Sequence, residues 1–592
     1  MIKIDGITRK CLRVTALSFG FACLLLLAGC PSSQGWPIAK EVFTTAEQQI
    51  LPIGLPIDAP EINPSDVPLY EQFGYSAWHV GPGTNYSQDP GNPQPYDKRT
   101  ELAPGYTDAP NAARLLTFFT MSDIHIADKE SPAQPLYIGW SAAYGASTSS
   151  AYSPVILSTI QVLDAAVQTI NALHKKSPFD FGISLGDDTN NTQYNELRWF
   201  IDVLDGKFIT PSSGAHAGAC TIDYQMPFKA AGLDKAIPWY QTIGNHDQFW
   251  MGSAYEDIKT MQAHIGNTVL NMSDDPTPTP DGVNGYGAYM GVVDGSTPYG
   301  EVIKGGPQED FDIPPTVVAD EDRHSLSIGT SSSLNWMSEF FNTTSNPVGH
   351  GFNQTNLDND FACYSFEPKA DLPLKVIVLD DTVKGPGQPN YARAALDQTR
   401  LDWLEDELQE GQDHDKLMII AAHIPIHPQQ TLDPDSGNYP LFSSTSIVDD
   451  LSLLDILHTY PNLILWISGH RHMNVVTPQP YNPSIAGQGP ENSFWEVEAS
   501  SLRDFPQQFR TFDIRRNGDN TVSIFVTDVD PAVRLGSPAA KSRGYAVGAS
   551  RICGATPDTI VDTTSHAYNA ELVKQLIPEM QAIIANCGSP TE

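Results

Sequence analysis

An α/β architecture follows from three features of this chain. Short runs of β-branched and aromatic residues alternate with stretches of helical periodicity. Five of those runs end in a tight turn carrying Asp, Asn or His. Long stretches rich in Pro, Gly, Asn and Ser separate them and read as loop insertions. Strands alternating with helices set such turns along one edge of a sheet, where open α/β folds hold their sites.

The chain has 592 residues, of which 40% are hydrophobic, enough for a large core with long insertions or for several domains. Residues 1–29 stand apart. Lys3, Arg9, Lys10 and Arg13 make a basic start, and residues 14–28 form an apolar run too short to be a good membrane span. This is expected to be an export signal. It closes on Leu27-Ala28-Gly29-Cys30, which resembles the lipobox of bacterial lipoproteins. The resemblance implies a lipidated Cys30 that anchors the exported chain to the membrane of the cell envelope.

The formal net charge of -36 is spread along the chain, and nothing resembles a basic nucleic-acid footprint. A phosphate-bearing substrate would need local positive charge, which a metal centre can supply. Of seven cysteines, Cys11 and Cys23 fall in the signal and Cys30 at its end. Cys220, Cys363, Cys553 and Cys587 remain, an even number suited to two disulfides in an oxidising compartment. Cys553 with Cys587 would staple the tail, and Cys220 with Cys363 would tie two insertions together. None has metal-site spacing.

Residues 30–110 read as a tether followed by an irregular extension. A core domain is expected over 111–535, interrupted by an insertion at 251–373. In it, the strand at 115–121 runs into Ser122-Asp123-Ile124-His125, whose Asp and His, two apart, can face one ion. Ile156, Ile160, Leu163, Val167 and Ile170 predict a helix over 155–175. The strand at 179–185 ends in Gly186-Asp187, a carboxylate able to bridge two cations; Asp188 is expected to cap the next helix or face solvent.

A third strand, 237–243, ends in Gly244-Asn245-His246-Asp247. The insertion then reads as a cover over the substrate, with His324 and His350 structural. Strand 374–379 ends in Asp380-Asp381, and Leu401, Leu404 and Leu408 mark a helix. Strand 417–420 leads to His423, with His427 further off past Pro425. Leu451, Leu454 and Leu457 mark a helix stopped by Pro461, and strand 463–467 runs into Ser468-Gly469-His470-Arg471-His472. Residues 494–498, 511–514 and 521–526 alternate as strands with an exposed face. In the tail, 536–592, Leu572, Leu576, Met580 and Ile583 suggest a closing helix interrupted at Pro578. There is no internal repeat.

Taken in order, the five turns resemble the calcineurin-like metallophosphoesterase superfamily over about residues 115–475. The resemblance implies a four-layer α-β-β-α metallophosphoesterase sandwich around two divalent metal ions. Asp123, His125, Asp187 and His472 would hold the first ion, and Asn245, His423 and His470 the second, with Asp187 shared. Oxygen and imidazole donors suit Mn, Fe, Zn or Co. His246 would face the substrate and Asp247 would orient it, while a hydroxide bridging the ions attacks phosphorus. The implied substrate is a small-molecule or lipid phosphoester.

The sequence also departs from related branches. Purple acid phosphatases carry a tyrosine ligand where Asn190 stands here, so no iron–tyrosinate centre is expected. The stretch after His472 is short for the nucleoside-binding domain of secreted 5′-nucleotidases. Arg471, between the two histidines, reads as a surface residue or a substrate contact, with the former favoured. A nucleotide pyrophosphohydrolase and a non-catalytic envelope lipoprotein that keeps its metals for binding are the alternatives.

Overall fold

The computed structural model describes residues 35–590 other than 84–94, 135–152, 271–287, 290, 303–305, 308–312, 327–332, 383–392, 428–441, 443–444 and 553–568. The expected signal, Cys30 and Cys553 lie outside the described residues.

Two mixed sheets form the centre. The first runs Asp97–Leu102, Ala570–Lys574, Val522–Val529, Phe509–Asn517, Asn111–Met121, Phe181–Ser184, Trp239–Gln241, with Ser589–Pro590 paired to Asn111–Met121. The second runs Tyr364–Phe366, Leu374–Val378, Leu417–Ala421, Leu463–Ser468, Phe494–Glu498, Val475–Gln479. Neighbours are parallel from Asn111–Met121 to Trp239–Gln241 in the first sheet. They are parallel again from Leu374–Val378 to Phe494–Glu498 in the second. The turns that follow these strands therefore gather at the carboxyl ends of the two parallel blocks.

Burial explains the strand sequences. Leu374–Val378, Leu417–Ala421 and Leu463–Ser468 are buried at every position, as parallel strands covered on both faces must be. Val376, Val378, Ile419 and Ile467 share one apolar core with Leu116, Phe118 and Phe512 of the other sheet. Ile377, Met418, Ile420 and Trp466 belong to a second core with Leu404 and Leu408 of the helix Gln398–Asp413 and Leu453 and Leu457 of Asp450–Leu457. Asp397 and Asp449 start those two helices by accepting the amides of Arg400 and Ser452. The helices Thr159–Lys176 and Tyr194–Leu204 pack Leu163, Val167, Ile170, Leu197 and Phe200 into the inter-sheet core's cluster from the first sheet's side. The layers are thus α-β-β-α. Each fully buried Leu or Phe in them stabilises by roughly 1.5–3 kcal/mol.

Some elements differ from the sequence reading. The helix expected from residue 155 opens with a 3₁₀ turn, Pro154–Leu157, before Thr159–Lys176. Leu572 lies in a strand, Ala570–Lys574, paired on both sides and buried throughout, so its spacing to Leu576 is not helical. The closing helix is Pro578–Ile584, with the proline in the first turn, where its missing N–H costs nothing. The N-terminal extension is partly regular: Gln48–Pro52 pairs with Trp78–Pro82, and Asp97–Leu102 joins the first sheet. Phe494–Glu498 lacks an exposed face because Trp495 and Val497 enter the inter-sheet core and Phe494 the outer one.

Both expected cysteine pairings fail. Cys363 and Cys587 are free thiols, while Cys220 is disulfide-bonded. Cys363 is buried against the second sheet's outer core, where its sulfur accepts the Asp380 amide.

Candidate metal centre

Each turn is shaped by its backbone before its side chains. Asp123, His125, Asp187, His470 and His472 all have positive φ, between 47° and 76°. That region costs a non-glycine residue roughly 1–3 kcal/mol, and it concentrates at sites whose surroundings hold it in place. Gly186, at φ 95°, packs its Cα against Gly244, letting the Asp187 and Asn245 turns touch.

The turns bring the seven sequence-predicted ligands together. Ligand atoms of Asp123, His125 and His472 lie within 4.8 Å of one another, and so do those of Asp187, His423 and His470. Asp187 belongs to both neighbourhoods. Its Oδ2 is 3.3 Å from His423 Nε2 and 3.6 Å from His125 Nε2. Asn245 turns its amide oxygen inward, 2.9 Å from His423 Nε2 and 3.1 Å from His470 Nδ1, because its Nδ2 donates to the Gly252 carbonyl. His472 Nε2 stands 3.2 Å from Asp123 Oδ1 and 3.2 Å from His125 Nε2.

The backs of the rings decide which nitrogen faces inward. His423 Nδ1 donates to the Leu185 carbonyl, and His246 Nδ1 to the Asn190 carbonyl. A carbonyl only accepts, so each ring keeps a proton on Nδ1 and presents Nε2 to the site. His472 Nδ1 is held by the Asp504 carboxylate at 2.7 Å. The buried Nδ1 of His125 has no hydrogen-bond partner among the described residues.

Charge in the site is strongly organised. Burial pushes Asp187 up, but His423 and His246 beside it more than reverse this and hold its carboxyl well below the usual range. Burial disfavours imidazolium at His423 and His472, yet Asp187 beside the first and Asp123 beside the second win, lifting each to about 10. Burial and the neighbouring His423 push His470 down to about 3. Burial also lowers His246 below its ordinary value, against the pull of Asp187. Among the described residues, no Lys or Arg ion-pairs with Asp123 or Asp187. Buried carboxylates that recruit protons onto adjacent imidazoles call for cations. Two clusters of O and N donors, sharing one carboxylate, fit a pair of divalent ions.

Two sequence expectations need correcting. Asp247 does not orient His246. Its Oδ2 accepts the amides of Gly244 and Asp187, both at 2.9 Å, and its Oδ1 accepts those of Asp188 and Thr189 and the Thr189 hydroxyl. Asp247 lies in the one-turn helix Asn245–Gln248, which sets its carboxylate against the Asp187 turn, so it holds that turn together. Asp188 neither caps a helix nor meets solvent. It is buried, accepts from Ser184 Oγ and Gln241 Nε2, and burial with Asp247 nearby raises it well above the usual range.

The remaining candidates lie off the centre. His324 stacks on Tyr194, buried His350 bonds the Trp239 carbonyl and Thr343, and exposed His427 meets Asp450. Arg471 is held by Glu498, its Nη2 2.5 Å from Oε2. The five turns give Asn190 no role beyond the missing tyrosine and do not mark Asp504 or Ser501, whose hydroxyl donates to the Asp123 carbonyl at 2.6 Å. A signal existed for the last two: Phe494–Glu498 is one more strand run followed by a polar turn, Ser500-Ser501.

A two-sheet α/β sandwich with a paired Asp/His/Asn centre is what the chain presents. No protein-family model and no curated protein matches it. Among solved structures it is similar to a dimetal phosphatase from Danio rerio, at 11% identity and a TM-score of 0.33, over 71% of this chain and 97% of that one.

Proposed function

We propose that this chain is a dinuclear metal-dependent phosphoesterase, hydrolysing phosphate mono- or diesters outside the cytoplasm. The observation that carries this reading is Asp187 Oδ2, standing between His423 Nε2 and His125 Nε2 at 3.3 and 3.6 Å. Asp123, His125, Asp187 and His472 would hold one ion, and Asp187, Asn245, His423 and His470 the other. Divalent ions in such a pair supply a water acidic enough to be a nucleophile near neutral pH and positive charge for the phosphoryl oxygens.

The chain's own groups supply the rest. His246, its Nδ1 fixed on the Asn190 carbonyl, offers Nε2 to a proton beside Asp187, whose charge steadies the imidazolium. A ring in that position can give the proton to a departing alkoxide. Asp247, through its four backbone amides, keeps the Asp187 carboxylate in place. The substrate is a small-molecule or lipid phosphoester, and a Cys30 lipid would hold the enzyme at the envelope membrane.

A panel of chromogenic phosphate monoesters and diesters, with nucleoside diphosphate-linked compounds beside them, tests the reaction on protein reconstituted with Mn, Fe, Zn or Co. Turnover of simple esters supports the reading, and preference for the diphosphates selects a pyrophosphohydrolase. No colour with any metal leaves a binding lipoprotein. Release of Cys30→Ser from membranes tests the anchor.

A further inference from the structure

The connection Ala499–Gln508 leaves the second sheet after Phe494–Glu498 and enters the first at Phe509–Asn517, crossing from one sheet to the other at the ligand edge. On the way it touches three of the site's turns. Ser501 Oγ donates to the Asp123 carbonyl. Arg503 Nη1 donates to Asn190 Oδ1, 3.1 Å away, on the residue whose carbonyl holds His246. Asp504 Oδ2 accepts from His472 Nδ1.

The last contact is unlike those behind the other rings. His423 and His246 lean on neutral carbonyls, and the His125 Nδ1 has no hydrogen-bond partner among the described residues. In the cluster of Asp123, His125 and His472, then, His472 is the imidazole whose outward nitrogen is held among the described residues, and a carboxylate holds it. A carboxylate behind a ligand imidazole sets its tautomer, locks its rotation and makes the opposite nitrogen a better donor. Asp504 is itself pinned, its amide bonded to Ser501 Oγ at 3.1 Å.

We propose that Asp504 is a positioning residue for the first ion, holding His472 so that its Nε2 stays beside Asp123 Oδ1. The inference rests on the dinuclear reading above. It predicts an asymmetric effect: loss of Asp504 weakens the cluster of Asp123, His125 and His472 and spares that of Asn245, His423 and His470.

The test is a Co(II) titration of the metal-free mature protein, followed by absorption and by competition with a chromophoric chelator. Wild type should bind two ions. Asp504→Ala should weaken one of them about 10–100-fold and leave the other within about threefold, with Asp504→Asn, which keeps an acceptor oxygen but not the charge, falling between. Two ions bound by Asp504→Ala as tightly as by wild type would overturn this role alone. Wild type that binds no pair of ions would overturn the dinuclear reading with it. Should Asp504→Ala not fold, the isosteric Asp504→Asn decides, and unchanged affinity there refutes the proposal.

Discussion

Gly244 packs against Asp187 so closely that a Cβ on the glycine would overlap both the aspartate's amide nitrogen and its Oδ1. The turn that presents Asn245 and the turn that presents Asp187 are therefore built as one piece, joined by the two amides that share Asp247 Oδ2. Gly469 has the same relation to the other cluster: a Cβ there would overlap Ser122 Oγ and crowd Asp123 Oδ2 at 2.5 Å.

Gly244→Ala should consequently cost bound metal although it deletes no ligand. Metal analysis after dialysis is expected to find fewer than two ions per chain, with both clusters affected because Asp187 stands beside both. Gly469→Ala should weaken chiefly the ion near Asp123. Full occupancy in both variants would show that the turns can yield.

His246→Ala and Asp247→Ala separate chemistry from scaffolding. The first should keep its ions and fold while turnover drops about 10²–10⁴-fold, the usual worth of a placed proton donor. The second leaves four buried backbone amides without their acceptor, each costing about 1–3 kcal/mol. It should lower the unfolding free energy by about 3 kcal/mol or more and lose metal. Denaturant melts and metal analysis on the two proteins read the difference; an Asp247→Ala protein as stable as wild type would contradict the scaffold role.

Asp187→Ala goes further than either. With the shared oxygen gone, both ions should bind weakly and turnover should vanish, whereas His470→Ala should weaken mainly the ion near Asn245. Equal, single-ion losses in the two variants would mean that Asp187 serves one cluster only.

Stability should carry a signature of Asp164, on the helix Thr159–Lys176. Burial raises its carboxyl to about 6, even though the Ala231 amide and Gln168 favour the charged form. The folded state thus holds this proton more tightly than the unfolded chain does. Its contribution is complete below about pH 4 and lost as pH rises through about 6. Between pH 4.5 and 7 the unfolding free energy should fall by about 2 kcal/mol on this account. Asp164→Asn should remove that part of the slope; an unchanged slope would contradict it.

The thiols are a simpler check. Cys363 is buried and burial raises its thiol far above the ordinary value, whereas Cys587 is half-buried. Alkylation of the native protein should label Cys587 well before Cys363, and a non-reducing peptide map should find neither in a disulfide. Recovery of a Cys220–Cys363 peptide would restore the pairing suggested by parity.

Parity is one place where sequence reasoning ran out, and the reason is general. A count of cysteines carries no distances, and four of them allow three pairings. Period is another. Leu572 and Leu576 are four apart, as in a helix, but Leu572 is fixed by strands on either side of it that are remote in sequence. Asp97–Leu102 offered no long apolar run, since only Arg99 and Leu102 of it are buried. Asp188 was misjudged because a carboxylate in a polar turn is ordinarily wet, and the burial that keeps this one dry comes from other segments.

The amino-acid order was enough to set out the alternation of strands and helices and the donor types in five turns. Those rest on local properties: β-branched runs, apolar spacing, glycines that permit a reversal. Which ring nitrogen faces inward, that Asp247 braces a turn and not a ring, and that Asp504 reaches His472 rest on groups far apart in the chain. Such contacts exist only once two sheets have closed on a shared core and brought their carboxyl ends to the same place.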